Sequence, residues 1–114
     1  ERSKPGPDDA AAGDRRESWR WPIDLLVRDV ALGGSFEMRR GNLAIGGVYF
    51  SEGHPPQGTR VELRFILPGE REEIRAEGEI VHVRREGGRF GTHVRFADLP
   101  VESELAIARF LQQG

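Results

Sequence analysis

Hydrophobic and polar residues alternate along most of this chain, in short runs broken by turn residues. Ile23–Val30 is apolar and rich in branched side chains, and Ala31-Leu32-Gly33-Gly34 follows it as a turn. Ser35–Arg40 alternates with Phe36 and Met38 on one face, and Leu43–Phe50 is mostly apolar. A loop with a double proline, Glu52–Gly58, precedes the clearest strand, Arg60–Leu67. There Val61, Leu63, Phe65 and Leu67 share one face, and Arg60, Glu62 and Arg64 take the other. Spacing of period two predicts half-buried strands. Residues 72–84 read as a long, charge-flanked strand centred on Ile80-Val81, and Phe90–Phe96 alternates through Phe90, Thr92, Val94 and Phe96. Between them Glu86-Gly87-Gly88 reads as a hairpin turn, where glycine can take positive φ.

The last segment changes period. Asp98-Leu99-Pro100 predicts a helix start, with Asp98 as the cap and proline in the first turn. Glu102 and Glu104 suit the positive end of a helix dipole. Leu105, Ala108 and Leu111, with Ile107, recur at helical spacing toward Gly114. Six or seven short strands followed by one helix predict a mainly β fold, a small six-stranded antiparallel β-barrel with a C-terminal α-helix at about residues 100–112. Residues 1–13 are polar, aperiodic and rich in Pro, Gly and Ala, and read as a disordered tail or linker. The folded domain is expected over 14–114, entered through an arm at 14–22 in which Pro22 keeps Trp21 out of helical geometry.

Composition narrows the function. At 114 residues the chain is one domain with a modest core. Seventeen basic residues against 19 acidic ones leave a net charge of −2, so there is no global pull toward nucleic acid or acidic membranes. Any anion site must be local. Only Lys4 of the basic residues is lysine, and arginine's planar fork suits bidentate phosphate contacts. The absence of cysteine excludes disulfides, thiol nucleophiles and zinc–thiolate sites. No apolar run reaches the ~20 residues of a membrane span, and no signal segment is visible, so the expected location is the cytoplasm without membrane insertion. The start at Glu1 without a methionine reads as a fragment of something larger.

Two short motifs, roughly twenty residues apart, stand out. The first is Arg16-Glu17-Ser18-Trp19-Arg20, with a further arginine at Arg15. The second is Asn42-Leu43-Ala44-Ile45-Gly46-Gly47, running into Val48-Tyr49-Phe50. Arginines spaced by four can grip phosphate or the O6/N7 edge of guanine and stack on a purine face. Gly46 and Gly47 either let the backbone approach a flat base or mark a bulge or strand bend. Trp19 and Trp21 flank Arg20; one of them is expected to cap the barrel and anchor the arm, with stacking on a base as the other reading. A two-residue Gly87-Gly88 turn would set His82 opposite His93, but no third metal ligand converges on them. The acidic group Glu70, Glu72, Glu73, Glu77 and Glu79 reads as a solvated strand face. No nucleophile, paired catalytic carboxylates or phosphate loop is identifiable, which argues against an enzyme.

In this order, ahead of a small barrel and a terminal helix, the motifs resemble those of the PilZ domain, a bacterial receptor for cyclic di-GMP. The resemblance covers roughly residues 14–112. Arg16 and Arg20 fit the family's Arg-x-x-x-Arg, and Asn42, Ala44 and Gly47 fit the looser form of its second motif, an Asp or Asn, then Ser or less often Ala, then Gly. Pro56-Gln57-Gly58-Thr59, the strand Gly91–Phe96 and the helix start Leu99–Glu104 echo the family as well. The resemblance implies cyclic di-GMP binding by Arg15, Arg16, Arg20, Asn42, Ala44, Gly46 and Gly47, with no other cofactor and no metal. An arginine at position 15 implies an intercalated ligand dimer. Ligand binding would order the arm and pass the signal to a downstream protein or attached domain. Ala44 departs from the commoner serine and removes one hydrogen-bonding group, while Asn42 replaces a carboxylate with an amide. Those departures motivate the alternative, a degenerate PilZ-like protein–protein interaction module that does not bind nucleotide. A small barrel binding RNA or single-stranded DNA through Arg and Trp is disfavoured by the net charge.

Overall fold

The computed structural model describes residues 20–113; the tail 1–13 and most of the arm, including Arg15, Arg16 and Trp19, lie outside the described residues. Six strands, β1 (Trp21–Asp29), β2 (Glu37–Ala44), β3 (Gly47–Glu52), β4 (Arg60–Phe65), β5 (Ile74–Glu86) and β6 (Arg89–Asp98), precede one helix, α1 (Val101–Gln113). The strands close into a barrel in the order β1-β2-β3-β6-β5-β4, with antiparallel neighbours throughout. The expected six-stranded barrel with a C-terminal helix is the observed fold.

Alternation explains the core. Ile23, Leu25 and Val27 of β1 point inward, as do Val48 and Phe50 of β3 and Val61, Leu63 and Phe65 of β4. Leu25, Leu43, Phe50 and Leu63 are fully enclosed, and burying such a side chain contributes ~1.5–3 kcal/mol. Two polar residues share this interior. Thr92 Oγ1 donates to Glu52 Oε2 at 3.5 Å, and Arg39 Nε donates to Glu52 Oε1 at 3.2 Å, so the buried carboxylate is paired. Burial pulls the Arg39 pKa down, but its hydrogen bonds to Glu37 and Glu52 outweigh this and raise it overall.

Four expectations need correction. The apolar run Leu43–Phe50 is not one strand: Ile45 and Gly46 turn between β2 and β3, so Leu43 pairs with Val48 across a hairpin. A continuous strand would have left Ala44 and Gly47 without the pairing they make with each other. Asp98 is the last residue of β6, paired with Glu77, and does not cap the helix. The helix begins at Val101, where the Pro100 carbonyl accepts the Glu104 N–H at 3.0 Å. Its buried face is also rotated from the expected one. Ile107 and Leu111 enter the core with Ala106 and Phe110 packed beside them, while Leu105 stays 54% exposed. The expected arm at 14–22 also overlaps β1, because Trp21 and Pro22 already belong to that strand, paired with Leu43 and Asn42.

The joints that hold the barrel are local. Asp29 accepts the Ala31 N–H through Oδ1 and the Gln57 and Gly58 N–H groups through Oδ2, at 2.9, 2.9 and 3.2 Å, tying two loops together. Phe36 lies against the guanidinium groups of Arg28 and Arg64, 4.6 and 4.3 Å from the ring centre. Trp21 meets Phe110 of the helix edge to face at 5.3 Å, so the described tryptophan anchors the start of β1 to α1.

Candidate functional site

The hairpin joining β2 to β3 shapes the site. Gly41 and Leu43 point into the barrel, which sends Asn42 and Ala44 to the outer face of β2. The turn at Ile45-Gly46 is held to β6 by the Gly46 carbonyl, which accepts the Phe96 N–H at 2.9 Å. The two glycines there differ in kind. A Cβ on Gly46 would meet nothing within 4 Å, whereas one on Gly47 would run into the Val94 carbonyl oxygen and crowd Arg95 Cα at 3.1 Å. Gly47 is therefore required by the close approach of β3 to β6, and Gly46 is the one facing open space.

This hairpin forms one wall of a cleft of about 530 Å³, within the usual range for small-molecule sites. Asn42, Ala44, Ile45, Gly46 and Gly47 line it from the hairpin, and Arg20 lines it from the residue before β1. Thus five of the seven site residues read from the sequence converge on one cavity, although they come from two separate stretches of chain. The other two, Arg15 and Arg16, lie outside the described residues.

The rest of the lining was not anticipated. It includes Tyr49 on β3, His93 and Arg95 on β6, and Val81 on β5. A row of cross-strand pairs, Asn42–Tyr49–His93–His82, runs across the outer face. The expected opposition of His82 and His93 is observed, with ring centres 5.6 Å apart. The Tyr49 ring tilts over His93 at 4.6 Å. It can occupy this position because Gly91 has no side chain: a Cβ would sit 2.8 and 2.9 Å from two ring carbons. Tyr49 also donates its hydroxyl to Glu86 at 2.7 Å, and that bond is the main reason its pKa is raised.

Val81 reaches the cleft through a break in register. Ile80 pairs with Val94 and His82 with His93, so Val81 is the extra residue of a bulge and is half exposed. Nothing in the period-two pattern marks that shift. His93 and Tyr49 were legible in part, since alternation puts His93 on the face opposite Val94. Their meeting depends on the pairing of β3 with β6, which sequence spacing does not state.

His93 is half buried, and burial is the largest cause lowering its pKa. The positive charges of His82, Arg20 and Arg84 lower it further, while Glu86 opposes them. The arrangement thus offers a guanidinium, an amide, an open glycine and a tilted tyrosine–histidine pair around one cavity. Groups of those kinds suit a planar, hydrogen-bonding anion. Among the described residues no group of three or more metal-ligating side chains comes together, and no helix is long and apolar enough to cross a membrane.

The family model for the PilZ domain matches residues 14–113, nearly the full length of the chain and both motifs. The chain belongs to the PilZ domain family. PilZ domains form a family of cyclic di-GMP receptors and are binding modules rather than enzymes. Solved structures agree on the fold. The inhibitor of motility MotI/DgrA of Bacillus subtilis superposes with a TM-score of 0.68 at 13% identity, over 82% of this chain and 48% of that one. A pathogenic protein of Xanthomonas campestris, described as a tetrameric PilZ domain self-assembled through a helical bundle, superposes with a TM-score of 0.53 at 17% identity. That match covers 71% of this chain and 46% of the other. The PilZ domain described here therefore corresponds to about half the length of each. No curated protein matches it.

Proposed function

We propose that this PilZ domain is a cyclic di-GMP receptor that binds the dinucleotide in the cleft beside the β2–β3 hairpin. The convergence of Arg20, Asn42, Ala44, Gly46 and Gly47 on one cavity carries the reading. Arg16 and Arg20 grip phosphate or guanine edges by charge-assisted hydrogen bonds. Asn42 offers an amide to a base, and Gly46 leaves room for the base to lie on the turn. Arg15 favours an intercalated dimer of the ligand. Binding folds the arm onto the barrel, and this change reaches whatever protein or domain is attached.

The test is isothermal titration with cyclic di-GMP, with GTP and cyclic di-AMP as controls. Selective binding is expected, with a ratio near two ligands per chain, and the Arg16→Ala/Arg20→Ala double variant is expected to lose it. Unchanged affinity in the double variant refutes the site. Absence of heat at high micromolar ligand refutes the receptor function.

A further inference from the structure

The motifs leave one wall of the cleft without a role, and that wall carries its titratable ring. His93 sits on the outer face of β6, between Tyr49 of β3 at 4.6 Å and His82 of β5 at 5.6 Å. From β5 it also feels Arg84 and Glu86, and from the residue before β1 it feels Arg20. Among the described residues, the nearby carboxylates are already engaged. Glu86 accepts the Tyr49 hydroxyl and pairs with Arg84 at 3.9 Å, and Glu79 is taken by Arg95, the next outer-face residue of β6. Burial and these positive neighbours accordingly hold the ring's pKa below the ordinary histidine value. An anion beside it reverses that balance, because negative charge offsets the arginine fields and favours an imidazolium donor.

We infer that His93 is a ligand contact of this cleft and takes up a proton when a phosphodiester anion binds, so that affinity for cyclic di-GMP rises as pH falls. This rests on the receptor reading above and specifies a regulation of that same site. The ligand's phosphodiester and guanine keep their charge through the neutral range, and arginine stays protonated throughout. Histidine is then the side chain of the cleft that changes charge there. By linkage, each unit by which binding raises the imidazole's pKa makes the complex up to about tenfold tighter at low pH. Neither histidine belongs to the family motifs that the sequence carries, so the dependence is a property of this chain's own barrel face.

The experiment is titration of the whole chain with cyclic di-GMP at about pH 6.5 and about pH 8, which span the upper part of histidine's range. A second pair of titrations at about pH 7, in PIPES and in Tris, reads proton exchange directly from the difference in heat. The native chain is expected to bind about three- to tenfold tighter at the lower pH, with net proton uptake. His93→Gln is expected to bind at about pH 8 and to lose both the uptake and the pH dependence, and His82→Gln to retain the uptake. Binding of the native chain without proton uptake, or a His93→Gln variant with the native profile, overturns the inference and leaves the receptor reading standing. Loss of uptake in His82→Gln with retention in His93→Gln moves the proton to the other ring and overturns it as well. No binding at either pH overturns both readings. If His93→Gln does not fold, the two-buffer measurement on the native chain decides.

Discussion

Gly47 lies so close to Val94 across the β3–β6 ladder that a Cβ on the glycine would overlap the valine's carbonyl oxygen. Its neighbour Gly46 faces empty space. Adjacent and chemically identical, the two residues serve different purposes. Gly47→Ala should destabilise the fold by ~1–3 kcal/mol, as backbone overpacking does, and Gly46→Ala should shift stability by less than ~0.5 kcal/mol. Urea denaturation of both variants checks this, and Gly46→Ala should instead weaken cyclic di-GMP binding.

Arg20 is exposed and borders the cleft, so truncating it should spare stability and reduce affinity. Arg20→Ala is expected to lose ~1.5–3 kcal/mol of binding, roughly tenfold to a little over a hundredfold in Kd. Arg16→Ala should do the same. Equal loss in melting temperature and affinity would mean that the arginine acts on folding instead.

Ala44 lines the cleft from the outer face of β2, so a hydroxyl at this position would border the cleft. Ala44→Ser restores the family's commoner residue and should gain ~0.5–1.5 kcal/mol, up to about tenfold in affinity. Titration of the serine variant against the native chain measures it.

The rotation of α1 makes a sharp contrast between two neighbouring apolar positions. Ile107 is 0% exposed and Leu105 is 54% exposed. Ile107→Ala should cost ~2–5 kcal/mol, while Leu105→Ala should cost less than ~0.5 kcal/mol. Chemical denaturation of the pair tests which face of the helix meets the barrel.

His93 also makes stability depend on pH. Burial and the surrounding positive charges hold its pKa below the ordinary value, so the unfolded chain binds the proton more tightly. This contribution is fully present above the unfolded-state pKa of ~6.5 and is lost as pH falls through that value toward the lowered one. Urea midpoints between about pH 8 and about pH 5 should fall for the native chain, and His93→Gln should flatten that part of the slope.

Much of the barrel was legible because a half-buried strand needs only a period-two pattern and a turn at each end. Val61, Leu63, Phe65 and Leu67 declared their face in advance, and all four are buried. Gly87-Gly88, both with positive φ, set the register that brings His82 opposite His93. Legibility failed where two structures satisfy the same pattern. The run Leu43–Phe50 suits one strand as well as two, and only pairing with β6 shows that the chain turns at Ile45-Gly46. In the helix, apolar residues at 101, 105, 106, 107, 108, 110 and 111 allow more than one buried stripe, and docking against the barrel chooses Ile107 and Leu111.

The sequence by itself determined the strand count, the terminal helix, the family and the hairpin half of the cleft, because these depend on spacing and residue type within short stretches. The tertiary structure alone decided that Arg20 shares a cavity with Asn42 and Gly46, that Gly47 is there for β6, and that Tyr49, His93 and the bulged Val81 complete the lining. Those relations join residues dozens of positions apart through the β3–β6 and β5–β6 ladders. Local pattern carries no record of which strands will lie side by side once the barrel closes.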